Sequence, residues 1–145
     1  MSEAVLRIDG LQTYYGKIHA LRGISLSVQK GQIVTLLGAN GAGKSTTLKT
    51  ISGLVRSAAG KITFLGKDIT TAPPHDIVRM GLIHAPEGRR IFKGLSVQEN
   101  LDLGGFTNAQ DKAGKERRLQ YIFELFPILF HQQDGRPLLV EFADD

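Results

Sequence analysis

Gly38-Ala39-Asn40-Gly41-Ala42-Gly43-Lys44-Ser45-Thr46 is the stretch on which the reading of this 145-residue chain turns. It satisfies the spacing G-x-x-x-x-G-K-[ST] in full, and at this chain's glycine content a chance match is on the order of 1%. The flanks strengthen it. Ile33-Val34-Thr35-Leu36-Leu37 is a short continuous apolar run, the pattern of a central parallel strand buried on both faces. Residues 44–52 then read as a helix stopped by Gly53. A strand, a glycine loop and a helix in that order let backbone N–H groups curl into an anion nest at the positive end of the helix.

The chemistry assigns each position a task. Side chains at Gly41 or Gly43 are expected to obstruct the approach of phosphate oxygens to the backbone. Lys44 is a mobile point charge that reaches β- and γ-phosphates and stabilises transferring charge, and the Ser45 hydroxyl is a hard oxygen ligand for Mg²⁺. The guanine-reading pattern Asn-Lys-x-Asp is absent, because Asn40, Asn100 and Asn108 are followed by Gly, Leu and Ala. That disfavours GTP and leaves ATP as the expected nucleotide.

Working outward, residues 5–11 read as extended, Tyr14-Tyr15-Gly16-Lys17 as a turn, and Ile24, Leu26 and Val28 alternate with polar neighbours as in a half-buried antiparallel edge strand. Residues 61–65 read as a further strand, Pro73-Pro74 open a short helix carrying Ile77 and Met80, and Leu82-Ile83-His84-Ala85 reads as another short strand. Ser96-Val97-Gln98-Glu99 is a capping box that starts a helix at Val97. Leu119, Ile122, Phe123 and Phe126 give residues 112–126 one apolar helical face before Pro127. Alternating strands and helices indicate an α/β layer fold.

Composition removes several alternatives. With no cysteine, disulfides, thiol catalysis and zinc-thiolate sites are excluded. No apolar run approaches the ~20 residues of a membrane-spanning helix, and the first nine residues hold acids and arginine where a secretory signal would be apolar, so a cytosolic protein is expected. The net charge of +4 divides unevenly: residues 1–127 hold 17 basic and 10 acidic side chains, residues 128–145 one and four. The basic charges are scattered without interleaved aromatics, so nucleic acid is not an expected partner.

Tyr15-Gly16, the phosphate loop with Thr47, Ala85-Pro86-Glu87-Gly88-Arg89-Arg90-Ile91-Phe92 and Leu95-Ser96-Val97-Gln98-Glu99-Asn100-Leu101 together resemble the nucleotide-binding subunit of an ABC transporter. The Pro-Glu-Gly-Arg-Arg segment and Gly104-Gly105-Phe106 are similar, more narrowly, to the LivF-type ATPase of branched-chain amino-acid importers. The resemblance covers about residues 4–127. It implies a P-loop NTPase fold with an antiparallel β edge subdomain, ATP and Mg²⁺ as ligands, and energy coupling by ATP hydrolysis. It implies that Tyr15 stacks on adenine, against the plainer reading of a strand-end aromatic packing on the core. It implies that Glu87 stands where the family senses Mg²⁺ and the attacking water, against a solvated loop acid. Arg89, Arg90 and Phe92 fall where the family faces its transmembrane partner, though arginines are also ordinary surface residues. His84 reads as a strand-end residue and not a metal ligand. The implied partners are a second ATP-binding subunit and transmembrane permease subunits. The implied location is the cytoplasmic face of the inner membrane, held peripherally without insertion.

The family's later motifs do not follow. The chain contains no Leu-Ser-Gly-Gly-Gln and no apolar run ending in Asp-Glu, and Leu103-Gly104-Gly105-Phe106 lacks the serine and glutamine of that signature. Leu138-Leu139-Val140-Glu141 resembles the missing acidic strand only superficially. The expectation is therefore an incomplete ATPase domain over residues 1–127 with an atypical tail, 128–145, from a frameshift or premature stop, weak in nucleotide binding and slow in turnover. The alternatives are a non-hydrolysing nucleotide-binding remnant and an ABC ATPase serving another substrate or no transport.

Overall fold

The computed structural model describes residues 4–88, 90–108 and 110–131. The chain divides between residues 85 and 86 into two compact units. In the first, β1 (Ala4–Tyr15) and β2 (Ile18–Gln29) form a hairpin, followed by α1 (Lys44–Ile51), β3 (Ala59–Phe64), β4 (Lys67–Asp68) and α2 (Pro74–Arg79). All strand pairs are antiparallel, in the order β2-β1-β3-β4. The β2 edge alternates half-buried Ile24, Leu26 and Val28 with exposed Ser25 and Ser27, as its sequence pattern requires.

β1 is one of the two inner strands and pairs on both sides, and a bulge shapes it. Register shifts between Ile8 and Leu11 on the β2 side and between Asp9 and Gln12 on the β3 side. Gly10 sits there at φ 58°, and its N–H donates to Ser25 Oγ at 2.8 Å. The extra residue resets the alternation, which is why Ile8 and Leu11, an odd number apart, are both buried in the core. Ile62, Phe64, Ile51, Ile69, Leu21 and Ile77 complete that core. Each such side chain contributes about 1.5–3 kcal/mol by leaving water. α1 ends as its sequence indicates: Gly53 at φ 73° donates to Thr50 O and the Leu54 N–H to Lys49 O, the paired bonds of a Schellman motif.

Two expected strands are absent. Residues 33–37 are non-repetitive, with Ile33 94% and Leu37 90% exposed. A strand buried on both faces depends on neighbouring ladders and covering layers, and among the described residues none runs beside this run. Residues 82–85 likewise form no strand, and His84 is no strand end: its Nδ1 lies 3.1 Å from Ser52 Oγ behind α1.

The second unit is helical: α3 (Val97–Gly104), a 3₁₀ turn (Phe106–Asn108), α4 (Lys112–Leu125) and α5 (Pro127–His131). The capping box forms in both directions, and the Ser96 amide and hydroxyl hold the Glu99 carboxyl below the usual glutamate range. Asp111 caps α4 by accepting from the Gly114 N–H at 2.8 Å. Lys115 Nζ reaches Asp102 Oδ1 at 2.6 Å, joining α4 to α3. Leu119, Ile122 and Phe123 are half-buried, while Phe126 is 56% exposed and caps α4 as Pro127 opens the next helix. Residues 132–145 lie outside the described residues, and with them the Leu138-to-Glu141 stretch.

The β3–β4 turn carries a local mismatch. Leu65 and Gly66 adopt φ 47° and 75°, and Leu65 is 58% exposed. A branched residue in the left-handed region costs about 1–2 kcal/mol, and Asn-Gly is the preferred pair for a two-residue hairpin. Leu65→Asn should raise stability by about 1 kcal/mol, read as a higher urea midpoint with unchanged slope.

Candidate functional site

The first unit brings the expected phosphate loop and its helix together. Gly43 is the N-cap of α1 at φ 88°, with no side-chain cap bond and no acidic residue in the first turn. The amides and the positive end of the helix are thus not neutralised by the helix's own side chains, which is what an anion site requires. Lys44 opens the helix and folds back over the loop, its Nζ donating to Gly38 O at 2.6 Å and Ala39 O at 2.8 Å. The Ala42 N–H donates to Ala39 O at 3.1 Å, closing residues 39–42 into a tight turn. A phosphate oxygen, being charged, is a stronger acceptor than those two carbonyls and would draw the ammonium to itself.

The glycines are required for different reasons. At Gly43 a Cβ would stand 2.8 Å from Leu21 Cδ2 and 3.2 Å from Ala20 O, so β2 lies directly against the helix start. At Gly41 nothing lies within 4 Å, but φ is 86°, so its constraint is conformational. At Gly38 a Cβ would meet the Ala42 Cβ at 2.9 Å. Tight packing of the loop against its own scaffold, more than clearance for the ligand, is what excludes side chains at 38 and 43.

Ser45 and Thr46 occupy the first turn of α1 and are half-buried. Among the described residues no three His, Asp or Glu side chains gather into a metal cage. A single hydroxyl suits Mg²⁺, which is bound through one or two protein oxygens with substrate phosphates and water supplying the rest. Ser45 therefore fits the expected metal role as a ligand to a nucleotide-borne ion. Tyr15 ends β1 at the hairpin tip and is 44% exposed. Of the two adjacent tyrosines, Tyr14 already stacks on His19, centroids 4.1 Å apart and 8° from parallel. Tyr15 makes no such stack among the described residues.

Glu87 belongs to the second unit, where it is exposed in a loop and its carbonyl accepts from Arg90 Nε at 3.4 Å. Arg90 and Phe92 line an apolar groove of ≈ 490 Å³ with Val97, Leu101 and Leu103, and Phe92 is 61% exposed. Arg89 lies outside the described residues. Asn100, assigned no role from the sequence, ties this loop to α3: its Oδ1 accepts from the Phe92 N–H at 2.9 Å and its Nδ2 donates to Phe92 O at 3.1 Å. Sequence reasoning also missed Thr13 and Thr50, buried between β1 and the end of α1 with hydroxyls 3.2 Å apart. The only available signal was a threonine in phase with Leu11 on the inward face of β1.

Comparison with known proteins places these features in a family. The family model described as ABC transporter matches residues 21–136. The chain is 45% identical over 132 residues to the high-affinity branched-chain amino acid transport ATP-binding protein BraG of Pseudomonas aeruginosa, covering 91% of this chain and 56% of that protein. It is 34% identical over 125 residues to the probable branched-chain amino acid transport ATP-binding protein LivF of Archaeoglobus fulgidus, covering 86% and 52%. A solved structure of an ATP-binding subunit of an ABC transporter superposes with a TM-score of 0.82 at 29% identity, over 94% of this chain and 56% of that one. The chain thus spans about half the length of the relatives it matches.

The contrast between two glycines is testable. Gly43→Ala must both adopt a left-handed backbone and displace Leu21, at a cost of about 2–3 kcal/mol, whereas Gly41→Ala carries the backbone cost alone, about 1–2 kcal/mol. Titration of each variant with a fluorescent nucleotide should show the larger loss of affinity at position 43.

Proposed function

Given that this chain belongs to the ABC transporter family, we propose that it is the nucleotide-binding front portion, residues 1–127, of a subunit that couples ATP hydrolysis to uptake of branched-chain amino acids. The observation that carries the reading is a capless, acid-free helix start at Gly43 whose flanking lysine already reaches over the loop. The similarity to BraG and LivF supports the choice of amino-acid cargo.

In this reading the backbone amides of residues 38–46 hold the β- and γ-phosphates, Lys44 neutralises their charge, and the Tyr15 ring stacks on adenine. Ser45 would hold Mg²⁺, which when bound would supply charge neutralisation to the phosphates. Glu87, a carboxylate where a glutamine is usual in the family, would accept hydrogen bonds from metal-bound water. Arg90, Phe92 and the groove beside them would receive a permease subunit, and a second ATP-binding subunit would complete the assembly at the cytoplasmic face of the inner membrane. No helix among the described residues is long and apolar enough to cross a membrane.

The described residues account for binding and orienting a nucleotide. The second reading is a chain that binds without hydrolysing. Single-turnover assays separate the two: burst product from this chain alone would exclude the non-hydrolysing reading.

Two substitutions test the binding role itself. Lys44→Ala should abolish measurable Mg-ATP binding in equilibrium dialysis, and unchanged affinity would overturn the assignment. Tyr15→Ala should weaken ATP by the equivalent of about 1–3 kcal/mol, the usual value of a base–aromatic stack, while leaving inorganic tripolyphosphate affinity unaltered.

A further inference from the structure

Thr13 and Leu21 are register partners across the β1–β2 hairpin, and both are fully buried. Each of them touches the phosphate-loop helix. Leu21 packs under Gly43 at the start of α1, and Thr13 Oγ1 lies 3.2 Å from Thr50 Oγ1 near its end. Gly43 and Thr50 are seven residues apart, about 10 Å along a helix. The hairpin therefore grips α1 at two separated points, which restrains the helix against both sliding and turning.

The direction of the hydroxyl pair follows from proton counting. Thr50 Oγ1 also lies 2.8 Å from Thr46 O. A carbonyl cannot donate and a hydroxyl has one proton, so Thr50 donates to Thr46 O and accepts from Thr13. The bonds run in one line, from Thr13 through Thr50 to the last residue of the phosphate loop.

Beyond Thr13 the hairpin leaves the core within two residues. Tyr14 is 42% exposed, Tyr15 44%, and Ile18, which pairs with Tyr15, 69%. The tip projects from the Thr13–Leu21 pair, so the location of the Tyr15 ring relative to the phosphate loop is decided where that pair meets α1.

We propose that Thr13 is a positioning residue for nucleotide binding, its hydroxyl setting the span between the Tyr15 ring and the phosphate loop through Thr50 and Thr46. The inference rests on the reading of these two features as base and phosphate sites. It concerns only ligands that engage both at once. Losing the hydroxyl loosens the span and penalises ATP, whereas a ligand without a base is indifferent to it.

The test measures ATP and inorganic tripolyphosphate affinities of the full chain side by side, with circular dichroism confirming the folded state of each variant. Thr13→Val should weaken ATP about fivefold, in line with the loss of one neutral hydrogen bond, and leave tripolyphosphate unchanged. Thr13→Ser should restore ATP affinity. In a Tyr15→Ala background Thr13→Val should have no further effect, because its action passes through the ring. Thr50→Val breaks the same line from the helix side and carries the same expectation should Thr13→Val fail to fold. Equal loss of both ligands, an unchanged ATP-to-tripolyphosphate ratio, or additive effects with Tyr15→Ala would overturn the inference alone. A wild-type chain that binds neither ligand would overturn the nucleotide reading and this inference with it.

Discussion

The contact of Leu21 with Gly43 is the constraint on which the first unit depends. It seats the start of α1 directly on the inner face of the hairpin, leaving no space for a Cβ. Because Gly43 is also the N-cap, this packing determines where the first-turn amides stand and where Lys44 emerges. Core atoms at van der Waals contact transmit displacement without compressing, so a shift of the hairpin becomes a shift of the glycine loop. The bulge at Gly10 serves the same end, keeping Ile8, Leu11 and Thr13 on one buried face of β1, the face that meets α1 through the Thr13–Thr50 hydroxyl pair.

The second unit is organised differently, by polar bonds at helix starts. Ser96 and Glu99 satisfy each other's amides, Asp111 caps α4, and Asn100 holds the Phe92 loop against α3. Glu99, Asp102 and Asp111 are all held below their ordinary range, by the Ser96 amide, by Lys115 and by the Gly114 amide respectively. A depressed carboxyl contributes stability above its unfolded value and loses it as pH falls through the folded one. Acid therefore acts on this unit at the starts of α3 and α4 and at the Asp102–Lys115 pair that joins them. The exposed apolar residues Ile91, Phe92 and Leu103 gather along that groove, a concentration that marks interaction surfaces in soluble domains.

Local chemistry was readable wherever a residue's neighbours in sequence are also its partners in space. The capping box, the Gly53 helix stop, the Pro74 helix start and the glycine loop are all of that kind, since each closes its bonds within a few residues. The run 33–37 forms no strand for the opposite reason. Its apolar continuity describes a side-chain environment, and a parallel strand exists only when distant segments supply both ladders. Residues 82–85 misled in the same way, and His84 found its partner 32 residues back, at Ser52.

By itself the sequence determined the glycine loop and its helix, the α/β class, the caps and the family, because spacing and backbone chemistry carry those properties along the chain. The tertiary structure decided which of two tyrosines is left unstacked, why Gly43 and Gly41 are needed for different reasons, and that Thr13 is bonded to the loop's helix across 37 residues. These depend on packing between elements far apart in the chain. Pattern can place a residue on the inward face of a strand, but only the folded molecule shows which atom waits there to meet it.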